Sequence, residues 1–326
     1  MVTETIPIPL TRNTQKICII GNYHAAESEE LMKAIQEERA NQTVIEIRYI
    51  QNEGQGSLLT IEAIKDGFNT LVAAGGDGTL NEVLNGIIRS GKQNECLLGV
   101  IPFGTANDFA SMCMIPNSAP GEALKIITEG TPVYIDVGKV INHEVKYFIN
   151  LASGGFGAKV TTNTPREIKD IFGGFAYFLT GLTEIFELQA YDVIIRSPEE
   201  SWEGRLLGVI VGNGQQAGGG FKSCPLALLN DKLLDVLIIP EVQTTELLQF
   251  LIELIQMGKH VEHEHLQYFQ TPWLEIEAPE GLQINLDGQP DHGSHFRFEL
   301  VQDQLAVYLP PGAPYQQTAH SSNDQE

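Results

Sequence analysis

The sequence predicts an α/β domain with a doubly wound parallel sheet, followed by a second, mostly antiparallel β domain. Across residues 16–140, apolar runs of strand length alternate with stretches of helical apolar spacing, the pattern of a parallel sheet covered by helices on both faces. After Pro132 the chain changes to short apolar segments separated by Gly, Asn and Pro turns, which is how an antiparallel domain reads. A third observation places a site on the first domain. The apolar run Thr70–Ala73 ends in Ala74-Gly75-Gly76-Asp77-Gly78-Thr79, and Leu80, Val83, Leu84 and Ile87 then follow at helical spacing.

In chain order, the first domain is read as strand Lys16–Gly21, helix Leu31–Arg39, strand Thr43–Ile50, helix Leu58–Lys65, strand Asn69–Ala74, helix Thr79–Arg89, strand Leu97–Pro102 and helix Ala119–Thr128. The second is read as strands Val133–Val140, Val145–Ala152, Tyr191–Arg196, Leu206–Gly212, Leu233–Pro240, Trp273–Ala278 and Leu282–Leu286. Helices around Phe175–Leu188 and Thr244–Met257 interrupt it. Residues 1–15 read as a loose arm, and the polar residues 312–326 as a flexible tail.

The turn over Gly75, Gly76, Asp77 and Gly78 has the chemistry of a nucleotide phosphate site. Glycines let backbone N–H groups approach a ligand, and a helix N-terminus favours negative charge. Asp77 adds a carboxylate for a magnesium ion or a hydroxyl. A plainer reading makes Thr79 and Glu82 a capping box, which leaves the glycines and Asp77 unexplained. The Gly-Lys-Ser/Thr ending of a Walker A loop is absent. A second strand, Leu97–Pro102, also ends in such a turn, Phe103-Gly104-Thr105-Ala106-Asn107-Asp108-Phe109-Ala110. Ligands in doubly wound sheets bind outside the carboxyl ends of strands, so both turns are expected to face one pocket.

The ordered motifs GGDGTLNEV (75–83) and PFGTANDFA (102–110) resemble the diacylglycerol kinase catalytic domain family, in particular YegS-like bacterial lipid kinases. So do Gly154–Ala158, GNGQQAGGG (212–220), CPLALLND (224–231) and Asn285-Leu286-Asp287-Gly288, and the similarity covers roughly residues 16–311. NAD kinases share the GGDG turn, but the Asn81-Glu82-Val83 continuation and the second turn favour the lipid branch. The resemblance implies an NAD kinase/diacylglycerol kinase-like first domain and a β-sandwich-like second one. A last strand near Leu305–Leu309 would return to the first domain, giving domains of 16–140 plus about 297–311, and 141–296. The implied reaction is transfer of the ATP γ-phosphoryl group to a lipid hydroxyl. On this pattern Gly75, Gly76, Asp77, Gly78, Thr79, Leu80, Asn81, Glu82, Gly104, Thr105, Asn107 and Asp108 contact ATP. Asp77 lies near the phosphates and Mg2+. Leu228, Asp231 and Leu233 match a second, structural Mg2+ site, with Asp231 giving its carboxylate and the leucines their carbonyls.

The chain also departs from the family. Gln289 stands where the family has a glutamate taken to accept the proton of the lipid hydroxyl, and a carboxamide cannot accept it. Loss of a general base commonly lowers rates about 10²–10⁴-fold. Asp287 can substitute as base, Gln289 can orient the hydroxyl, or a loose transition state can need little base help. Ile50 replaces a nucleotide-contacting threonine, Gln215 replaces a common arginine, and Lys232 replaces a glycine, where it is strained if the turn needs φ > 0. Gly21-Asn22-Tyr23-His24 matches the family's first turn only weakly. These changes keep open a degenerate kinase that binds nucleotide or lipid as a sensor. A soluble-metabolite kinase akin to NAD kinase is a third reading.

A net charge of −22 argues against a nucleic-acid partner, which needs clustered Lys and Arg. It also argues against simple electrostatic docking on an anionic bilayer. Ile171–Leu179 is the segment read as a membrane contact or as an ordinary packed helix. No run has the length of a membrane span. The first residues lack the regions of a signal peptide, and the four cysteines are far apart without zinc spacing. A cytoplasmic, transiently membrane-associated protein is expected, with ATP and a lipid as partners and a homodimer left open. The histidines of 260–265 have spacing compatible with a metal but read as a solvated segment. Ser153 lacks the preceding glycine of a hydrolase nucleophile elbow.

Overall fold

Continuous apolar runs build the first half of the sheet from four parallel strands: β1 (Lys16–Gly21), β2 (Val44–Tyr49), β3 (Thr70–Gly75) and β4 (Leu97–Pro102), in spatial order β4-β3-β1-β2. The computed structural model describes residues 15–52, 54–155, 190–216, 218–242 and 265–315. In it β3 and β4 are buried at every position, as strands covered on both faces must be. Helices α2 (Glu29–Ala40) and α6 (Pro120–Glu129) pack on each other over β2 and β4. Helices α3 (Gln55–Lys65) and α4 (Asp77–Arg89) do so over β1 and β3. Right-handed crossovers place these pairs on opposite faces. Short helices α1 (Tyr23–Glu27) and α5 (Asp108–Met112) follow β1 and β4. The strand order reverses between β1 and β3, so the crevice for a ligand opens at their carboxyl ends.

The second half is antiparallel: β5 (Pro132–Ile141), β6 (Val145–Phe148), β7 (Leu151–Gly155), β8 (Tyr191–Arg196), β9 (Ser201–Gly212), β10 (Leu234–Pro240), β11 (Gln267–Thr271), β12 (Trp273–Leu286) and β13 (Gln289–Tyr308). β13 runs antiparallel to β12 and β5, yet its end, Ala306–Val307, pairs in parallel with β4, joining both halves into one sheet. Two hydrophobic cores result. One is built on Ile17–Ile20, Leu71–Ala74 and Leu84. The other is built on Val209, Val236, Ile276 and Leu282. β13 contributes Phe296 and Phe298 to the second and Leu305–Val307 to the first.

Several sequence boundaries change. Trp273–Ala278 and Leu282–Leu286 are one strand with a bulge between Glu277 and Leu282, where β12 exchanges β8 for β7 as partner. The last strand begins at Gln289, not near Leu305. The strand expected over Val145–Ala152 is broken at Ile149 and Asn150, and β11 was not expected at all. The expected helices Phe175–Leu188 and Thr244–Met257, the segment Ile171–Leu179 and residues 260–264 lie outside the described residues. Among the described residues, no helix is long and apolar enough to cross a membrane. The cysteines are free and buried.

Candidate active site

β3 ends at Gly75, Gly76 is extended (φ −90°, ψ −171°), and α4 opens at Asp77. The second turn runs directly against the first. A Cβ on Gly104 would lie 2.4 Å from Gly76 Cα, and one on Gly75 would lie 2.2 Å from Thr79 Oγ1. Only glycine permits these approaches. Asn107, at φ 49°, closes its turn by accepting the Gly104 N–H at 2.9 Å and donating to the Gly104 carbonyl at 2.7 Å. Gly78 faces open space and Thr105 is exposed, whereas Leu80 is buried and offers a ligand only its backbone.

The capping box over Thr79 and Glu82 does not form, because α4 starts at Asp77, two residues before Thr79. Glu82 instead reaches the neighbouring helix, where its carboxylate accepts the N–H groups of Gly54 at 2.9 Å and Gly56 at 2.6 Å. It caps α3, whose own N-cap residue, Gly54, has no side chain.

Three carboxylates converge on these turns. Asp77 accepts the N–H groups of Asp108 and Phe109, each at 3.2 Å, and so caps α5. Asp108 accepts from Gly219 at 2.9 Å and Gly220 at 2.8 Å, in a run of glycines whose φ values are all positive. Asp287 accepts from the N–H groups of Ile149 (2.6 Å), Asn150 (3.1 Å) and Leu151 (3.0 Å), and from Asn81 Nδ2 at 3.3 Å. The break between β6 and β7 exists to present those amides. Asp287 and Gly288, at φ 47° and 95°, form the two-residue turn of the β12–β13 hairpin, the Asp-Gly geometry of a type I′ turn. Burial pushes all three carboxyls up, Asp108 to about 7 and Asp287 to about 6. The charge of Asp77 adds to both shifts, and the backbone donors oppose them. Among the described residues none of the three has a cationic partner within 4 Å.

Next to them lies a polar cleft of about 280 Å³ between α4 and the hairpin. Its walls include Asn81, Asn85, Arg89, Lys146, Tyr147 and Gln289. Asn81 donates to the Tyr147 carbonyl at 3.1 Å, and Asn85 does so at 3.2 Å. Thus Asn81 joins α4, β6 and Asp287. Lys146 is paired with Glu144 and Asp291 at 3.3 Å each. Gln289 is half-buried on this wall.

The other predicted cation site is a separate loop. Asp231 accepts the Leu233 N–H at 3.0 Å, and Lys232 sits at φ 67° with its N–H donating to Asp136 Oδ2 at 2.8 Å. Leu228, Asp231 and Leu233 share this turn, half-buried, beside fully buried Asp136 and Asp235. Asp235 accepts from Tyr268 and Gln270, and burial raises it to about 6. Ile50 packs on the first core. The Gln215 amide donates to Ala227 O at 2.9 Å and so holds this loop.

Asn85, Asn150, Asn213 and Asp136 were not singled out from the sequence. Asn85 lies one turn beyond Asn81 on a buried helix face, which is a legible signal. Asn213 donates to the Asp136 and Ile149 carbonyls, at 3.1 and 2.7 Å, across three separate segments that no local pattern links.

Residues 16–140 match the model of the diacylglycerol kinase catalytic domain, and residues 150–309 that of the YegS C-terminal NAD kinase beta sandwich-like domain. The chain is 41% identical over 299 residues to a probable lipid kinase YegS-like of Pseudomonas aeruginosa (strain UCBPP-PA14), covering 92% of this chain and 96% of that relative. It is 40% identical over 293 residues to the protein of the same description from Serratia proteamaculans (strain 568), covering 90% and 93%. A crystal structure of a diacylglycerol kinase from Bacillus anthracis str. Sterne shares the fold, with a TM-score of 0.69, 21% identity, and coverage of 92% of this chain and 98% of that one. The two abutting glycine turns with their buried carboxylates, and the sandwich-like domain behind them, therefore belong to a YegS-like member of the diacylglycerol kinase catalytic domain family.

Proposed function

We propose that this chain is a lipid kinase that transfers the γ-phosphoryl group of ATP to a lipid hydroxyl with the help of Mg2+. The observation that carries this reading is the direct contact of the two glycine turns at the carboxyl ends of β3 and β4, with Asp77, Asp108 and Asp287 around them. The backbone of Gly76–Thr79, at the N-terminus of α4, suits a polyphosphate. Asp77 and Asp108 would hold Mg2+. Among the described residues no three acidic, His or Cys side chains form a closed metal site. Mg2+ commonly takes one or two carboxylates and completes its shell with phosphates and water. When bound it neutralises charge on the transferring group.

The acceptor hydroxyl would enter the cleft beside Gln289. There the carboxamide orients it by hydrogen bonding and cannot take its proton. Asp287 spends its oxygens on four donors, which makes it a positioning group that fixes Asn81 and the β6–β7 amides. Phosphoryl transfer depends mainly on positioning and charge, so a site without a strong base is compatible with turnover. Diacylglycerol, a phosphatidylglycerol-like lipid and a sphingoid base all present such a hydroxyl. Asp231 with the Leu228 and Leu233 carbonyls forms the second cation site, and the reaction takes place at a membrane surface reached from the cytoplasm.

Gln289 also motivates a second reading, a nucleotide-binding relative without efficient transfer. Transfer of labelled γ-phosphate to a detergent-solubilised lipid panel separates the two. A labelled lipid lost with Asp77→Ala establishes the kinase and its acceptor. Labelling by Gln289→Glu alone, with ATP still bound by the unaltered chain, establishes the second reading.

A further inference from the structure

The side chains of the cleft between α4 and the hairpin spend their hydrogen-bonding capacity unevenly. Asn85, 8% exposed on α4, commits its amide group fully. Its Nδ2 donates to the Asn81 carbonyl at 2.9 Å, to Asn81 Oδ1 at 3.1 Å and to the Tyr147 carbonyl at 3.2 Å. A flipped amide would turn Oδ1 onto three acceptors, so the orientation is fixed by the network. Among the described residues no donor reaches Asn85 Oδ1. Ser57, 9% exposed where α3 packs on Gly86 of α4, lines the same cleft, and its hydroxyl has no partner among the described residues. Both atoms open onto the cleft, unlike the sealed carbonyl oxygens of Asn150 and Asn213. The Gln289 carboxamide, on the hairpin wall, also has no partner among the described residues.

On the kinase reading above, on which this step rests, these atoms set how many donors an acceptor must bring. A carboxamide oxygen accepts and cannot donate. The reacting hydroxyl has one proton, which goes to the Gln289 oxygen, and it keeps a lone pair for attack on phosphorus. Nothing is left for it to donate to Asn85. An acceptor that satisfies both walls therefore carries a second donor. A hydroxyl suits a neutral carbonyl, whereas an ammonium would enter without a counter-charge. Glu82, the one acid in the described lining, spends both oxygens on Gly54 and Gly56, and Arg89 and Lys146 line the same cleft. Ser57 Oγ can in turn donate to the second hydroxyl. We infer that Asn85 is a specificity-determining residue, whose Oδ1 accepts a second hydroxyl of the lipid beside the one that is phosphorylated.

Calorimetric titration below the micelle concentration tests this with two lipids that differ by one group. Octyl glyceryl ether carries two adjacent hydroxyls, and octyloxypropanol only the terminal one. The unaltered chain is expected to bind the diol at least about fivefold more tightly, the scale of one neutral hydrogen bond. Asn85→Ala should erase that preference. A role confined to holding Asn81 would weaken both lipids alike and leave their ratio unchanged. Ser57→Ala should reduce the preference, and serves as the second variant should Asn85→Ala fail to fold. A preference unchanged in the folded variant overturns the proposal. So does the absence of a preference, or of binding, in the unaltered chain, which assigns the cleft atoms to water. Labelled transfer from ATP to the diol is read separately. Selective binding without transfer upholds the role of Asn85 and sinks the kinase reading.

Discussion

The two acidic regions of this molecule hold their carboxylates in contrasting ways. At the glycine turns, Asp287 has four donors, Asp108 is gripped by a glycine run and Asp77 caps a helix. In the loop after β9, Asp231 has one backbone donor, and its neighbour Lys232 occupies a left-handed conformation. Donors fix an anion in place, and each one removes an acceptor site from a cation or a proton. Asp287, with the most donors, is therefore built for position, whereas Asp231 keeps an oxygen free to bind.

Asp287→Asn attacks the contrast hardest. An asparagine offers one acceptor oxygen and turns an NH₂ toward amides that donate. Turnover is expected to fall on the order of 10²-fold through misplacement, and stability by about 1–3 kcal/mol. Asp231→Asn should move stability by less than about 1 kcal/mol. Urea unfolding of both variants, with turnover of the first, checks this, and equal losses would erase the distinction.

The pH dependence sharpens it. Asp108 and Asp287 are raised from 3.8 to about 7 and about 6, so the folded ligand-free chain binds more protons than the unfolded chain between about pH 4 and 7. Its stability is expected to fall as pH rises through that window. Asp108→Asn should flatten the upper part near pH 7. Asp235→Asn, in the other region, should act nearer pH 6, where its carboxyl titrates. Melting curves from pH 5 to 8 decide, and a rising trend would contradict the buried-carboxylate account.

A comparably small effect, of opposite sign, is expected from Lys232→Gly. Removing a side chain at φ 67° should stabilise the fold by about 1 kcal/mol and remove a positive charge from the Asp231 turn. Mg2+ titration followed by melting temperature should show a larger shift in the variant.

Local chemistry was legible in the sequence, and tertiary partnership was not. The apolar runs gave β1 through β4 because strands buried on both faces carry little else, and both glycine turns announced themselves at the strand ends. Thr79 and Glu82 have the spacing of a capping box, but the helix begins earlier, and the true partners of Glu82 lie 26 and 28 residues before it. Asp287 was legible as a motif residue. Its amide partners, 136–138 residues away, were not. The beginning of β13 was not legible, because Pro290 and Gly293 interrupt the strand pattern, whereas the hairpin arm accommodates both. The strain at Lys232 was anticipated on condition that its turn takes positive φ, and it does.

β13 has a mechanical consequence. A strand of 20 residues is about 66 Å long if fully extended, and this one runs from Gln289 beside the cleft to Tyr308 at the far pole. It crosses from one core into the other without a linker, hydrogen-bonded to β5 over most of the crossing. The two halves have no free pivot along this path. Any closing movement over bound substrates must bend the sheet like a leaf spring, and its softest place is the irregular pairing between Val301 and Leu305.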